Sequence, residues 1–464
     1  LNVPIFVHHG DADAAVNVDW SRWSVKLLQR WGYDVRYREY PGRGHEELQH
    51  SIGSMSIDWF LQHERNPNPR HVRIRSAELR HAQAYWVSIG QSASPLEFMR
   101  VDAEVVDRNV IRLDTDNVLE VTLSPAPELV DPAKPVKVVW NGVAQVSKLA
   151  GGAVRLTSAA YKPAALRKTA QLPGGANDFF VTPFAVVIGT ASKDPLIKEL
   201  CQMKAQTFID SWRDAQRQPV RVFRDTDITD ADIAKYSLLL MGGADANLVT
   251  ARLSAGLPLR VTRTAVVIGG KQISATNSVV QMIYPNPRNR DRYVWVVAGQ
   301  SANGLYHADV DLYRQYEWDY LVSDGRIPAY KSPVSPLALR VTQGMFDYNW
   351  KYAGSLEVAG DASVRAQARQ MPRPDPTIRI APELMASYAG KYQIENGPLI
   401  ELLNKNGKLV INVEGADVEL VPTGQAGFLL PRFNARVDFV RDATGKVTGF
   451  TGYGPNDFEG KKVE

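Results

Sequence analysis

What is scarce in this chain bounds it first. Its 464 residues include one cysteine, Cys201, so no internal disulfide can form and no cysteine-rich zinc site can be built. No apolar run reaches the roughly 18 residues that a membrane-spanning helix needs. Excess charge is scarce too: 54 Lys and Arg against 50 Asp and Glu give a formal net charge of +4. No basic run of the kind that marks nucleic-acid binding accompanies it. What remains is the composition of an ordinary soluble protein, 44% hydrophobic and 22% charged. Single cores rarely grow past about 250–300 residues, so several domains are expected.

The first part reads as strand, helix, strand, helix, an order that favours a parallel sheet. "VPIFVHHG" (3–10) is a short apolar run closed by glycine. "DWSRWSVKLLQRWGY" (19–33) places Trp20, Trp23, Leu27, Leu28 and Trp31 on one helical face. Asp19 is the expected N-cap and Gly32 the expected C-cap. The three tryptophans read as helix-to-sheet core rather than a binding stripe. "DVRYREY" (34–40) alternates as a strand near an edge, and Leu48, Ile52, Met55 and Trp59 mark a second helix face. Functional groups gather at the carboxyl ends of parallel strands. Asp11 and Asp13 follow the first strand and His45 follows the second, so all three are expected on one edge. Asp11 is read as a turn or helix-cap acceptor.

"HGDADAAV", followed some thirty residues later by "YPGRGHEEL" and a helix ending "DWFLQH", resembles the C-terminal end of a prolyl-oligopeptidase-type α/β-hydrolase. The resemblance implies that Asp13 orients the catalytic histidine and that this histidine is His45. Such a histidine takes a proton from a serine hydroxyl and returns it to the leaving group, while the carboxylate fixes its tautomer. Asn17 departs from the pattern, where the family often has proline.

The nucleophile is missing. An α/β-hydrolase presents its serine on a Gly-x-Ser-x-Gly elbow that precedes the acid and the histidine in the chain. No such pattern occurs; the nearest, "GQSANG" (299–304), lacks the second glycine and follows the histidine. The chain opens at Leu1 in what reads as the penultimate strand. The expectation is therefore the C-terminal portion of a serine hydrolase, with the nucleophile upstream and this chain alone inactive. A peptidase is favoured. The alternatives are a carboxylesterase of the same fold, or a binding or scaffold protein with a vestigial hydrolase end.

Beyond this end, the expected fold class is multidomain α/β plus β. Residues 1–65 form the hydrolase end, and "HERNPNPRH" (63–71) reads as a linker. Short alternating runs over 70–172, with a hairpin signal at Asn141-Gly142, suggest a β-sandwich. Tyr85 and Trp86 read as its packing residues. Residues 179–330 alternate strand and helix and suggest a flavodoxin-like α/β domain. Its loops "GTASKD" (189–194) and "GGADAN" (242–247) could cradle an anion, but match no phosphate fingerprint. Residues 331–382, ending in "MPRPDPTIRIAP", read as a linker, and 383–464 as a β-barrel-like domain.

A metal at His8, His9, Asp11 and Asp13 is disfavoured, because adjacent strand residues point to opposite faces. Arg43 reads as a loop charge, and His50, His63, His71 and His81 as surface or linker residues. No cofactor or metal is expected. The implied partner is a peptide or ester substrate, with no nucleic acid and no membrane span, and the family resemblance implies an extracytoplasmic location.

Overall fold

The structure is a computed structural model that describes residues 3–45, 47–274, 277–306, 308, 318–326, 339–368, 378–413, 416–430, 435–453 and 457–463. It divides into two compact units, Leu1–Pro173 and Gly174–Glu464. The whole is mixed and rich in sheet. Among the described residues no helix is long and apolar enough to cross a membrane.

The first unit opens with β1 (Ile5–Gly10), α1 (Val18–Arg30), β2 (Val35–Tyr40) and α2 (Glu47–Phe60). β1 and β2 form a two-stranded parallel sheet in which His9 pairs with Glu39 and Gly10 with Tyr40. Parallel pairing needs a crossover, and α1 supplies it. Asn17, rather than Asp19, caps α1: its side-chain oxygen accepts from the Asp19 N–H at 2.8 Å. The chain ends the helix at Trp31 and turns through Gly32 at φ +76°, where a side chain would be strained.

The tryptophan expectation fails. Trp20, Trp23 and Trp31 are 67%, 60% and 42% exposed, and Val25 is the buried residue of α1. Ser21, Val25 and Leu28 recur at helical spacing and face the sheet. The tryptophan stripe lies roughly 120° around the same helix, at about 100° per residue. Two strands about 5 Å apart cannot cover both faces of a helix about 10 Å wide. Trp31 is met by β3 (His71–Ser76): Arg75 lies 5.1 Å over its ring, and Arg73 donates to its carbonyl at 3.0 Å.

The remainder of this unit is two sheets on one core. The strands are β3, β4 (Gln83–Ala84), β5 (Val87–Gln91), β6 (Met99–Asp107), β7 (Val110–Asp116), β8 (Glu120–Leu123), β9 (Val136–Trp140), β10 (Val143–Ser147) and β11 (Val154–Thr157). They pair as β10-β9-β7-β6-β3 and β11-β8-β5-β4. Alternate residues point inward, as Met99, Val101, Ala103 and Val105 do from β6. Asn141 and Gly142 both take positive φ and close the β9–β10 hairpin. Trp86 is buried in this core and donates to the Pro69 carbonyl at 2.7 Å.

The second unit holds β12 (Phe184–Ile188), α3 (Pro195–Gln216), β13 (Arg221–Arg224), α4 (Asp230–Lys235), β14 (Ser237–Met241) and α5 (Leu248–Leu253). β15 (Leu259–Val261), β16 (Ala265–Ile268) and β17 (Lys271–Ser274) form a separate three-stranded sheet. Then come β18 (Ser278–Asn286), β19 (Asn289–Gly299), α6 (Ala302–Tyr306), β20 (Tyr320–Asp324), β21 (Arg340–Phe346) and β22 (Tyr352–Ala359). The main sheet runs β13-β12-β14-β19-β18-β20-β21-β22.

Two expectations are corrected here. The flavodoxin-like reading covers β12, β13, β14 and β19, which are parallel; the other half of the sheet is antiparallel. "IYPNPRNRDRYVW" explains the change, because a two-residue turn at Pro287-Arg288 can join only antiparallel strands. The 331–382 linker reading is also too long: β21 and β22 extend the sheet, and α7 (Ala362–Ala366) follows. Residues 369–377, which hold much of the proline-rich stretch, lie outside the described residues.

The C-terminal part is a closed antiparallel barrel of eight strands between Gly390 and Lys462, preceded by α8 (Pro382–Tyr388). Closure leaves no unpaired edge. Tyr388, Tyr392, Phe428, Phe439 and Phe450 pack inside it, with Tyr388 stacked on Phe439 at 4.2 Å, so aromatic rings fill the interior.

Candidate functional site

The carboxyl ends of β1 and β2 are stitched to each other by backbone and by Asp11. Asp11 N–H donates to the Tyr40 carbonyl at 3.2 Å and Ala12 N–H to the Arg43 carbonyl at 3.1 Å. The Asp11 carboxylate accepts from Gly42 N–H at 2.6 Å. Asp11 is therefore a turn acceptor that locks the β2 loop against the β1 loop. Gly10 permits the approach. A Cβ there would stand 2.1 Å from the Arg43 carbonyl oxygen and 2.7 Å from its carbon, both backbone atoms that cannot swing aside.

This clamp sets Asp13 beside His45. Asp13 Oδ1 accepts from Ala15 N–H at 2.9 Å and Val16 N–H at 2.8 Å. Asp13 Oδ2 lies 2.8 Å from His45 Nδ1. The Asp13 side chain is 4% exposed and that of His45 is 54% exposed. The Val16 N–H above all, then the His45 ring and the Ala15 N–H, hold the Asp13 carboxyl down at about 2 against the opposing effect of burial. An ionised carboxylate only accepts, so Nδ1 carries the proton at this contact. Nε2 is left as the ring atom through which a proton can be exchanged with a substrate-side hydroxyl.

His8 and His9 part as neighbours on a strand must. His8 Nδ1 meets the Tyr40 hydroxyl at 2.9 Å, and burial, then Arg38 and Arg36, lower its pKa. His9 is buried and turns toward α1 and the Asp13 turn. Among the described residues no group of three or more His, Cys, Asp or Glu is placed to hold a metal. His71, read as a linker residue, is half-buried and pairs with Asp102 at 2.6 Å. His63 meets the Trp59 carbonyl, and the side chain of His50 lies outside the described residues.

The other sequence candidates have structural occupations. Ser301 donates to Asn277 Oδ1 at 2.9 Å and accepts from Gly304 N–H at 3.2 Å, which makes it the cap of α6. The loops after β12 and β14 do not present an open anion cradle. Asp225 accepts from Thr190 N–H, Thr190 Oγ1 and Leu248 N–H at 3.0, 2.6 and 2.8 Å. The chain's own carboxylate thus fills that position. A cavity of about 880 Å³ in this unit is lined largely by glycine and aliphatic residues, with Asp245 and Arg260, and among the described residues no histidine lines it.

Gly10 yields a test of the clamp. Gly10→Ala is expected to push the Arg43 backbone away and loosen the Asp13–His45 hydrogen bond, read as faster solvent exchange of the His45 Nδ1 proton by NMR. An unchanged exchange rate would show that the two loops move independently.

A carboxylate held by backbone donors is thus joined to a half-exposed histidine at the carboxyl edge of parallel strands, in a chain that carries a hydrolase-like region. Two curated proteins carry short stretches similar to this chain. Acyl-protein thioesterase 1 of Neurospora crassa is 48% identical over 76 residues, 16% of this chain and 30% of that protein. Acyl-protein thioesterase 1 of Gibberella zeae is 31% identical over 64 residues, 14% of this chain and 26% of that protein. The chain therefore spans under a third of the length of either relative. No protein-family description matches the chain.

Proposed function

We propose that residues 1–65 supply the general base, His45, and its orienting carboxylate, Asp13, to a serine hydrolase whose nucleophile lies upstream of this chain. The carrying observation is the 2.8 Å contact between Asp13 Oδ2 and His45 Nδ1 while Asp13 Oδ1 is engaged by two backbone N–H groups. The reaction is acyl transfer to water. His45 Nε2 takes the proton of the attacking serine and returns it to the leaving group, and then does the same for water.

The likeness to acyl-protein thioesterases favours an ester or thioester as the acyl donor. A prolyl-oligopeptidase-type peptide substrate is the second reading, favoured by "YPGRGHEEL" (40–48). The leaving groups differ: an amine or an alkoxide takes the proton from His45 as it departs, whereas a thiolate leaves unaided and His45 passes its proton to solvent. The test is a panel of an S-acyl peptide, a carboxyl ester and a prolyl peptide, assayed with the full-length protein and its His45→Ala variant. Ester or thioester turnover that His45→Ala abolishes is expected. Turnover of the prolyl peptide alone would select the second reading. No histidine-dependent turnover of any of them would leave the segment a binding or scaffold element.

A further inference from the structure

We propose that His9 is a positioning residue for the Asp13–His45 pair, holding the turn that carries Asp13 through an N–H that persists whatever the charge of the ring. The inference rests on the role proposed above for Asp13 and His45. His9 is 8% exposed. Its Nε2 faces two acceptors, the Val16 carbonyl at 3.0 Å and Asp13 Oδ2 at 3.3 Å. Its Nδ1 faces the Ser21 hydroxyl at 2.6 Å.

Neither acceptor at Nε2 can donate, so Nε2 keeps its proton in the neutral and the charged ring alike. The Ser21 hydroxyl adapts, donating to a bare Nδ1 and accepting from a protonated one. The hydrogen bond proper goes to Val16; the Asp13 oxygen stands at the edge of the same N–H and gains from its partial charge. Val16 is thereby held at both ends, its carbonyl by His9 and its N–H by Asp13 Oδ1. The turn cannot rotate without breaking one of these bonds, and Asp13 Oδ2 stays aimed at His45. The charged groups around the ring are Asp13 from the turn, and Glu39 opposite it on β2. Glu39 is engaged by Arg22 of α1 at 2.9 and 2.6 Å.

A histidine that served packing alone would affect stability and leave the tautomer of His45 untouched. The readout is therefore that tautomer, from long-range ¹H–¹⁵N spectra of the labelled chain, with the His45 signals assigned by their loss in His45→Gln. Wild type is expected to hold His45 with the proton on Nδ1. In a folded His9→Leu chain His45 is expected to shift toward the Nε2–H form that a free imidazole prefers. His9→Gln, whose amide N–H can replace the bond to Val16, is expected to retain the wild-type tautomer. In the full-length protein His9→Leu is expected to lower kcat roughly 10²-fold with little change in KM, with much of the loss restored in His9→Gln.

An unchanged His45 tautomer in folded His9→Leu overturns the proposal. If that variant does not fold, His9→Asn, whose shorter amide stays near Ser21 and does not reach the Val16 carbonyl, reads the same link, and an unchanged tautomer there overturns it equally. A shifted tautomer together with full activity of His45→Ala would leave the positioning role standing and remove the catalytic reading instead.

Discussion

Incubated with a fluorophosphonate probe, the chain 1–464 is expected to take up no label, whereas on the proposed reading a longer protein that includes the upstream segment labels at one serine and loses that labelling in His45→Ala and in Asp13→Ala. The probe reports a hydroxyl made nucleophilic by a neighbouring base. On the proposed reading His45 and Asp13 are a base and its orienter, and without an activated hydroxyl no adduct forms. The serines of this chain carry no Gly-x-Ser-x-Gly elbow. Ser301, in the nearest pattern, donates its proton to Asn277 and caps α6. Losing one member of such a triad costs on the order of 10⁴-fold or more, so the contrast between labelled and unlabelled is not a matter of degree. Mass spectrometry locates the adduct. Stoichiometric labelling of a serine within 1–464, abolished by His45→Ala, would show that the chain carries its own nucleophile.

That Asp13 and His45 share an edge follows from chain order; that Asp13 rather than Asp11 meets the histidine was legible only through the likeness of "HGDADAAV" and "YPGRGHEEL" to a hydrolase end. Strand, helix, strand places the residues after "VHHG" and after "REY" on one edge, and both side chains are there. The register detail that makes the contact was not readable: Gly10 against the Arg43 backbone is a clash avoided, which leaves no residue type to detect beyond a glycine that already ends a strand. His9 was hidden for a related reason. Its partners are a serine twelve residues on and a backbone carbonyl, and neither forms a spacing pattern.

The tryptophans of α1 misled because helical periodicity says which residues share a face and not which face is covered. Two apolar stripes compete on this helix, and the narrow sheet chose the one with Val25. The mixed sheet misled in the opposite way. Buried central strands such as "SLLLM" are apolar whether their neighbours run parallel or antiparallel, so direction had to come from connection length. The barrel was plain because its hairpins carry Asn406-Gly407 and Thr444-Gly445, where Asn406, Gly407 and Gly445 take positive φ.

In the full-length protein Asp13→Asn is expected to lower kcat/KM about 10⁴-fold while leaving the fold intact, the size of loss seen when a triad histidine is held in the wrong tautomer. The geometry dictates which way the new amide faces. Ala15 N–H and Val16 N–H both demand an acceptor, so the Asn oxygen takes the place of Oδ1 and the NH₂ takes the place of Oδ2. His45 Nδ1 then faces a donor and must present its lone pair. Its proton moves to Nε2, the atom that has to accept from the nucleophile. The pH dependence follows from the low pKa. Asp13 drops from 3.8 to about 2 on folding, so its interactions contribute stability above pH 3.8 and lose it as pH falls through about 2. Acid titration should weaken wild type in that window and leave Asp13→Asn without the corresponding loss. Any decline in rate between about pH 5 and 7 belongs to another group, because a carboxylate with so low a pKa stays ionised throughout that range. A folded Asp13→Asn protein with wild-type kcat/KM would exclude the orienting role and leave Asp13 as a turn residue.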